Sequence, residues 1–320
     1  MAIQVVVTNL DFGQGYTKLF EEMKPKGFEM VWTPPDDYSP QETVRLVKGF
    51  DAVIAGGEKY DRWALDQLKD KLKLIVRHGT GVDNIDIDAA TDLGIAVTAA
   101  PGRNARAVAE YALGMMLCYT RQVCRFDDEM HQGQWRPRMT KELYGKTVGI
   151  IGFGAIGKWL VTLLAGFNCR ILVYDKYHKV DRAGVENISM DELLKNSDFV
   201  SLHIPLNPET ENSIGTELFN KMKRSAVFVN TSRGKVVREN ELIEALQKGI
   251  IAGACLDVFA NAPIDKSNPL TGMDNVILSP HTSAVTEEAM EVMMDSSLTD
   301  LTEFFEGKAP SELLNPNYRH

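Results

Sequence analysis

Val148-Gly149-Ile150-Ile151-Gly152-Phe153-Gly154-Ala155-Ile156-Gly157 is an apolar run that breaks into G-x-G-x-x-G and continues as a helical pattern. Strand, glycine turn and helix start follow one another here without a gap. Gly152 permits the tight turn, Gly154 lets the main chain approach a pyrophosphate, and Gly157 lets the helix pack close to the strand. From Ala155 and Ile156 onward, the new helix offers unpaired N–H groups and the positive end of its dipole to phosphate. A further strand, Arg170–Tyr174, runs into Asp175, roughly 20 residues beyond the first glycine. A carboxylate there accepts hydrogen bonds from ribose hydroxyls and repels a 2′-phosphate, which favours NAD over NADP. Lys176, next in the chain, softens that preference.

Short apolar strands continue in both directions. After the glycine loop come Phe199–Ile204, Ala226–Asn230, Ala252–Asp257 and Val276–Ser279; before it lie Ile3–Thr8, Phe28–Trp32, Ala52–Ala55, Leu72–Arg77 and Ile95–Thr98. Helical stretches separate them, such as Asp61–Lys71 and Glu239–Lys248, the latter with Leu242, Ile243, Ala245 and Leu246 on one side and Gly249 as a stop. Strands alternating with helices predict an α/β chain with parallel sheets covered on both faces. At roughly 100–200 residues per domain, 320 residues predict two domains. Pro101-Gly102 marks a boundary, the apolar stretch Ala107–Tyr119 reads as a helix crossing between the domains, and Glu287–Glu306 reads as a helix returning to the first. One domain is therefore expected over 1–100 and 286–320, and the other over 101–285.

Composition excludes several classes. A net charge of −9 without a basic stripe argues against nucleic acid. No apolar run reaches the ~18 residues of a membrane span, and MAIQVVVTNLDFGQG has neither the basic region nor the cleavage site of a signal peptide. Cys118, Cys124, Cys169 and Cys255 form no C-x-x-C pair and no ligand spacing, so no metal is expected. Their apolar neighbours predict core thiols in a reducing cytoplasm.

Several motifs occur in a telling order. They are Arg77-His78-Gly79-Thr80-Gly81-Val82-Asp83-Asn84-Ile85-Asp86, Asn104-Ala105-Arg106-Ala107-Val108-Ala109-Glu110, the glycine loop, His203-Ile204-Pro205-Leu206, Asn230-Thr231-Ser232-Arg233-Gly234, Leu256-Asp257-Val258-Phe259 and Ser279-Pro280-His281. Over almost its whole length the chain resembles the D-2-hydroxyacid dehydrogenases. The resemblance implies two doubly wound parallel-sheet domains, a Rossmann NAD-binding domain inserted in a flavodoxin-like substrate domain. It implies hydride transfer between NAD(H) and a small 2-oxo acid, giving the (R)-2-hydroxy acid, in a homodimer joined through the cofactor domains, to which the apolar stretch Ala107–Tyr119 would contribute. Arg233 matches the arginine that grips the carboxylate and polarises the carbonyl. His281 matches the acid/base histidine, also close to the cofactor. Backbone N–H groups of Gly79, Thr80 and Gly81 would bind the substrate carboxylate, with Asn104 nearby. Ile156, Pro205, Thr231 and Asp257 would line the cofactor cleft beside Gly152, Gly154, Ala155, Gly157 and Asp175, with Asp257 at the nicotinamide carboxamide. His203 is placed near the adenosine end and His78 under the substrate loop; His131, His178 and His320 are read as surface residues.

One position departs from the family. Where it carries a glutamate that orients the histidine and raises its pKa, this chain has Ala262, which neither accepts a hydrogen bond nor carries charge. Three readings stay open: Asn261, Asp257 or Asp265 supports His281; the enzyme works without a carboxylate, its histidine losing charge nearer ~6.5; or the chain binds NAD as a weak catalyst or a regulatory binding protein. The substrate is open among hydroxypyruvate, glyoxylate, phenylpyruvate and branched oxo acids. In Gly56-Gly57-Glu58-Lys59, where some phosphoglycerate dehydrogenases use an arginine, Lys59 is the available cation and Glu58 is expected to repel a phosphate. No regulatory domain is expected after Asn315–His320.

Overall fold

Isoleucine, valine and leucine dominate the strands, and their side chains alternate between two cores, which dictates sheets covered on both faces. The computed structural model describes residues 2–9 and 17–318. It divides into two units, one running up to Asn104 and resuming at Val285, the other spanning Ala105–Ala284. Helix Ala105–Arg121 therefore lies wholly within the second unit, which corrects its reading as a crossing helix; the chain passes over just before it. Eight of its residues are buried, and Ala109, Ala112, Met115 and Met116 among them belong to that unit's core.

In the first unit, β1 (Ile3–Val7), β2 (Phe28–Trp32), β3 (Ala52–Ala55), β4 (Leu74–Arg77) and β5 (Ala96–Thr98) form a parallel sheet in the order β2-β1-β3-β4-β5. Val5, Val7, Ile54, Leu74 and Val76 face one core, which also takes in Leu298, Leu301 and Phe304 of helix Glu287–Phe305; Val6, Val53 and Ile75 face the other. The strand sequence reverses direction between β1 and β3. Asn315 covers the outer edge of β5, accepting from Val97 N at 2.8 Å and donating to Ile95 O at 2.9 Å.

The second unit holds seven strands: β6 (Thr147–Ile151), β7 (Arg170–Tyr174), β8 (Val185–Asn187), β9 (Phe199–Leu202), β10 (Val227–Asn230), β11 (Gly253–Leu256) and β12 (Val276–Leu278). All pair in parallel, in the order β12-β11-β10-β9-β6-β7-β8. Ile150, Val173, Val229 and Cys255 pack on one face and Ile151, Leu172, Val200, Phe228 and Leu256 on the other. The order reverses between β6 and β9, and in open α/β sheets that point opens a crevice beyond the carboxyl ends of the strands. The edge strand β8 carries no apolar run to announce it, being the half-buried to exposed Val-Glu-Asn.

Two other expectations change. Asp61 is not in a helix but caps one, accepting from Ala64 N at 3.0 Å, so the helix is Arg62–Leu68. Of the four cysteines only Cys255 is a core thiol; Cys118 and Cys169 are half-buried and Cys124 is exposed. Periodicity puts a residue on a helix face without saying whether another element covers it.

Candidate active site

In the second unit the functional candidates stand on the carboxyl edge of the sheet. The turn after β6 depends on its glycines. Gly152 has a φ of 92°, and a Cβ there would come within 2.4 Å of the His203 carbonyl oxygen. A Cβ on Gly157 would lie 2.6 Å from the Gly152 oxygen, so strand and helix approach as closely as backbone allows. At Gly154 a Cβ would meet nothing within 4 Å. That open space borders the N-terminus of helix Ala155–Leu164, whose cap makes no side-chain hydrogen bond, and Ala155 is exposed there with Ile156 half-buried. This is the cradle a pyrophosphate needs.

Asp175, one residue past β7, accepts from Phe153 N at 2.8 Å, Tyr177 N at 3.0 Å and His178 N at 2.9 Å. Partial burial pushes its carboxyl up, but these N–H donors and His178 outweigh it and hold the group below the usual carboxylate range. The acid is thus ionised and locked to the glycine loop. Lys176 is ion-paired with Glu209, which also accepts from Tyr177 Oη at 2.5 Å. Its ammonium is therefore engaged rather than waiting for a 2′-phosphate. Across the crevice, Pro205 is exposed, and His203 is buried with Nε2 2.9 Å from Ser201 Oγ. Burial pushes the imidazole down to about 4. Thr231, at the end of β10, is 6 % exposed, and its buried hydroxyl has no hydrogen-bond partner among the described residues. An orphaned hydroxyl on this edge suits a ligand's polar group. Together these features fit a dinucleotide.

Arg233 follows β10 by three residues. Buried Asn230 sets its loop, accepting from Ser232 N at 3.0 Å and Ser232 Oγ at 2.8 Å and donating to Arg233 O at 3.1 Å. Arg233 itself is half-buried and donates to Ser232 O at 2.9 Å. A Cβ on Gly234 would fall 1.9 Å from Phe259, so the arginine loop rests directly on the chain leaving β11. Glu239 ties that chain down, accepting from Ala260 N at 2.8 Å and Asn268 Nδ2 at 2.9 Å.

Asp257, one residue past β11, is fully buried. Its carboxylate accepts from Ser279 Oγ at 2.6 Å, Thr282 N at 2.9 Å and Ser283 N at 3.0 Å, and its carbonyl accepts from His281 N at 2.8 Å. Instead of facing a carboxamide, the side chain is sealed inside the loop that carries His281. His281 is exposed, with a left-handed φ of 55°. That conformation costs a non-glycine residue roughly 1–2 kcal/mol and persists only when its surroundings enforce it. Of the other candidates for supporting the histidine, Asp265 accepts from Ser267 N at 2.7 Å within its own turn, and Asn261 and Ala262 are exposed.

In the first unit, His78-Gly79-Thr80-Gly81 follows β4. The Gly79 N–H donates to Arg77 O at 2.9 Å, which removes it from the expected carboxylate donors. The N–H groups of Thr80 and Gly81 make no hydrogen bond among the described residues. Thr80 Oγ1 donates to Asn104 Oδ1 at 3.0 Å, leaving the amide nitrogen of Asn104 for another acceptor. His78 is buried with Nδ1 3.3 Å from Ser297 Oγ, and burial, with Arg77 beside it, pushes it down to about 4. Glu58 does not stand where it would repel a phosphate. It is fully buried, accepting from Thr8 Oγ1, from Gly56 N at 3.2 Å and from Tyr60 Oη at 2.7 Å, while Lys59 is exposed. His131 and His178 are on the surface, and His320 lies outside the described residues.

Sequence reasoning missed Asn230, Glu239 and the loop-clamping role of Asp257. Asn230 had a readable signal, an Asx turn in Asn-Thr-Ser; the partners of the other two are too far along the chain to infer. Among the described residues, no group of three or more His, Cys, Asp or Glu side chains is placed to hold a metal, and no helix is long and apolar enough to cross a membrane.

Residues 113–283 match the model of the D-isomer specific 2-hydroxyacid dehydrogenase NAD binding domain. A glyoxylate reductase of Korarchaeum cryptofilum is 36% identical over 98% of this chain and 96% of its own length. A D-3-phosphoglycerate dehydrogenase of Methanocaldococcus jannaschii is 39% identical over 87% of this chain, which spans only 54% of that protein. The structure of an NAD-dependent formate dehydrogenase from Staphylococcus aureus in complex with NAD superposes with a TM-score of 0.85 at 27% identity, covering 96% of both chains.

Proposed function

This chain belongs to the D-isomer specific 2-hydroxyacid dehydrogenase family, an NAD(H)-dependent group of 2-oxo/2-hydroxy acid oxidoreductases, and from that premise we propose that it reduces a small 2-oxo acid to the (R)-2-hydroxy acid with its own histidine clamp in place of the family glutamate. One observation carries the reading. Arg233, Asp257 and His281 leave the carboxyl ends of three neighbouring strands, β10, β11 and β12, on the same edge as the glycine loop.

A bound nicotinamide cofactor would supply the hydride for the carbonyl carbon. Arg233 holds the carboxylate and draws electron density from the carbonyl. In the first unit, the Thr80 and Gly81 N–H groups are assigned to carboxylate binding, with the Asn104 amide as a further donor. His281 gives a proton to the carbonyl oxygen and retrieves it in the reverse direction. Gly152, Gly154, Ala155, Ile156 and Gly157 seat the pyrophosphate, Asp175 the ribose, and Pro205 and Thr231 the wall of the crevice. With Ala262 unable to touch the imidazole, Asp257 orients it by fixing its backbone.

Glyoxylate and hydroxypyruvate are the favoured substrates: Lys59 is the lone exposed cation of the Gly56–Lys59 loop, which gives a phosphate little to grip. The free thiols suit a reducing compartment, and the cytoplasm is the proposed location. The proposed partner is a second copy of the chain.

The test follows NADH absorbance with glyoxylate, hydroxypyruvate, pyruvate, phenylpyruvate and 2-oxoisocaproate, for the natural chain and for Ala262→Glu. Turnover by the natural chain is the expected result. Turnover only after Ala262→Glu would mean a disabled catalyst. None by either, with NADH still bound, would replace the enzyme with an NAD-responsive binding protein.

A further inference from the structure

Arg77 closes β4 immediately before the loop assigned to the substrate carboxylate, and its guanidinium is turned back under that loop. Nη1 donates to His78 O at 2.5 Å and to Ala55 O at 3.4 Å, and Nε donates to Gly81 O at 3.1 Å. The loop's other satisfied carbonyl, Gly79 O, accepts from Ala100 N at 3.0 Å. Carbonyls are thus drawn to the protein side, while consecutive N–H groups at Thr80 and Gly81 are left without a protein acceptor among the described residues. The Thr80 N–H shares its peptide plane with Gly79 O, so the Ala100 bond on that oxygen points the hydrogen the other way, while Arg77 holds the two peptides that flank this stretch through their His78 and Gly81 oxygens; two consecutive N–H groups held in this way make a concavity for an anion. The guanidinium also fills the space in which a side chain on Gly79 would sit: a Cβ there would come within 2.8 Å of Nη1. Gly79 itself has a φ of 152°, which a side chain would strain. The glycine therefore serves the arginine beneath as well as the ligand above.

We propose that Arg77 is the positioning residue of the substrate-carboxylate site: by holding the His78 and Gly81 carbonyls it fixes the peptides that flank the Thr80 and Gly81 N–H groups, and its charge, behind the loop, favours an anion in front. This rests on the reading of the loop as the carboxylate site. It implies that Arg77 sets affinity for the acid group and takes no part in the hydride and proton steps.

The experiment compares the natural protein with Arg77→Met and Arg77→Lys. Methionine removes both charge and hydrogen bonds; lysine keeps the charge but not the planar fork. On the NADH-saturated protein, oxamate, a carboxylate mimic of a 2-oxo acid, is titrated while the Thr80 and Gly81 amide resonances are followed. KM, kcat and NADH affinity are measured alongside. The expected result is that oxamate shifts both amides in the natural protein. Arg77→Met should raise the oxamate dissociation constant and KM by roughly 10–100-fold, with kcat and NADH affinity within about threefold. Arg77→Lys should fall between and recover part of the KM. Unshifted amides in the natural protein, a folded Arg77→Met protein with unchanged KM, or a loss in kcat or NADH affinity instead would each overturn the proposal. If methionine prevents folding, the lysine variant alone decides: an unchanged oxamate constant overturns the proposal and a raised one with unchanged kcat supports it. Absence of turnover with the oxamate shifts intact would defeat the enzymatic reading and leave the anion site standing.

Discussion

Asp300 lies on helix Glu287–Phe305 with 2 % of its surface exposed and one carboxylate oxygen unpartnered among the described residues. Burial pushes its carboxyl up to about 6, Glu312 and Glu303 add to the shift, and Thr98 and Arg103 oppose it. The unfolded chain ionises this group near ~3.9. Between that value and about 6 the folded state holds the extra proton, so stability falls as pH rises through the interval and stays lowered above it. Asp300→Asn should therefore be more stable near neutral pH by on the order of 1 kcal/mol, a Tm rise of roughly 2–4 °C, with the gain vanishing toward about pH 4. Thermal melts across pH check this, and a lower neutral-pH Tm would refute it. His78 and His203 are both pushed down to about 4 by burial, with Arg77 also acting on His78, and so are neutral at physiological pH. His281, the proposed acid/base, is by contrast exposed. All three histidines sit in recognisable motifs, and only burial separates them.

Among the elements, the loop after β12 stands out because a side chain from the neighbouring strand end organises it. Asp257 gathers Ser279, Thr282 and Ser283, and His281 is held between them in a backbone conformation it would not choose alone. Asp257→Asn replaces an acceptor oxygen by an amide that faces donors. The expected outcome is a fall in kcat of roughly 10–100-fold, with NADH affinity within about threefold, because the group is sealed from the cofactor side. Steady-state kinetics and a fluorescence titration of NADH test it; NADH affinity falling in step with kcat would make Asp257 a cofactor contact after all. The strands of both sheets were legible because buried parallel strands are apolar runs bounded by turn residues. β8 was not, since an edge strand with one partner needs no such run. The glycine turn was legible to the residue, because backbone close approach admits no substitute for glycine.

For the whole molecule, the exposed apolar side chains concentrate after helix Ala105–Arg121: Met130 is 52 % exposed, Trp135 81 %, Met139 97 % and Tyr144 61 %. Exposed apolar side chains of this size mark candidate interaction sites, and a second copy of the chain is the proposed occupant. Sedimentation should show a dimer at micromolar concentration, and Trp135→Arg combined with Met139→Asp should shift it toward monomer with unchanged secondary structure. A natural chain that sediments as a monomer would dismiss that surface as the dimer contact. The parallel α/β architecture, the glycine loop with its acidic partner and the order of motifs that places the chain in its family were readable from the residues, because strand periodicity, turn chemistry and motif spacing are local. It took the folded chain to show that Glu58 turns inward, that Gly79 spends its N–H on Arg77, that Arg77 lies beneath the His78–Gly81 loop and that Asp257 holds the histidine loop. Each is a choice of hydrogen-bond partner, and a polar side chain takes whichever partner folding brings within about 3 Å.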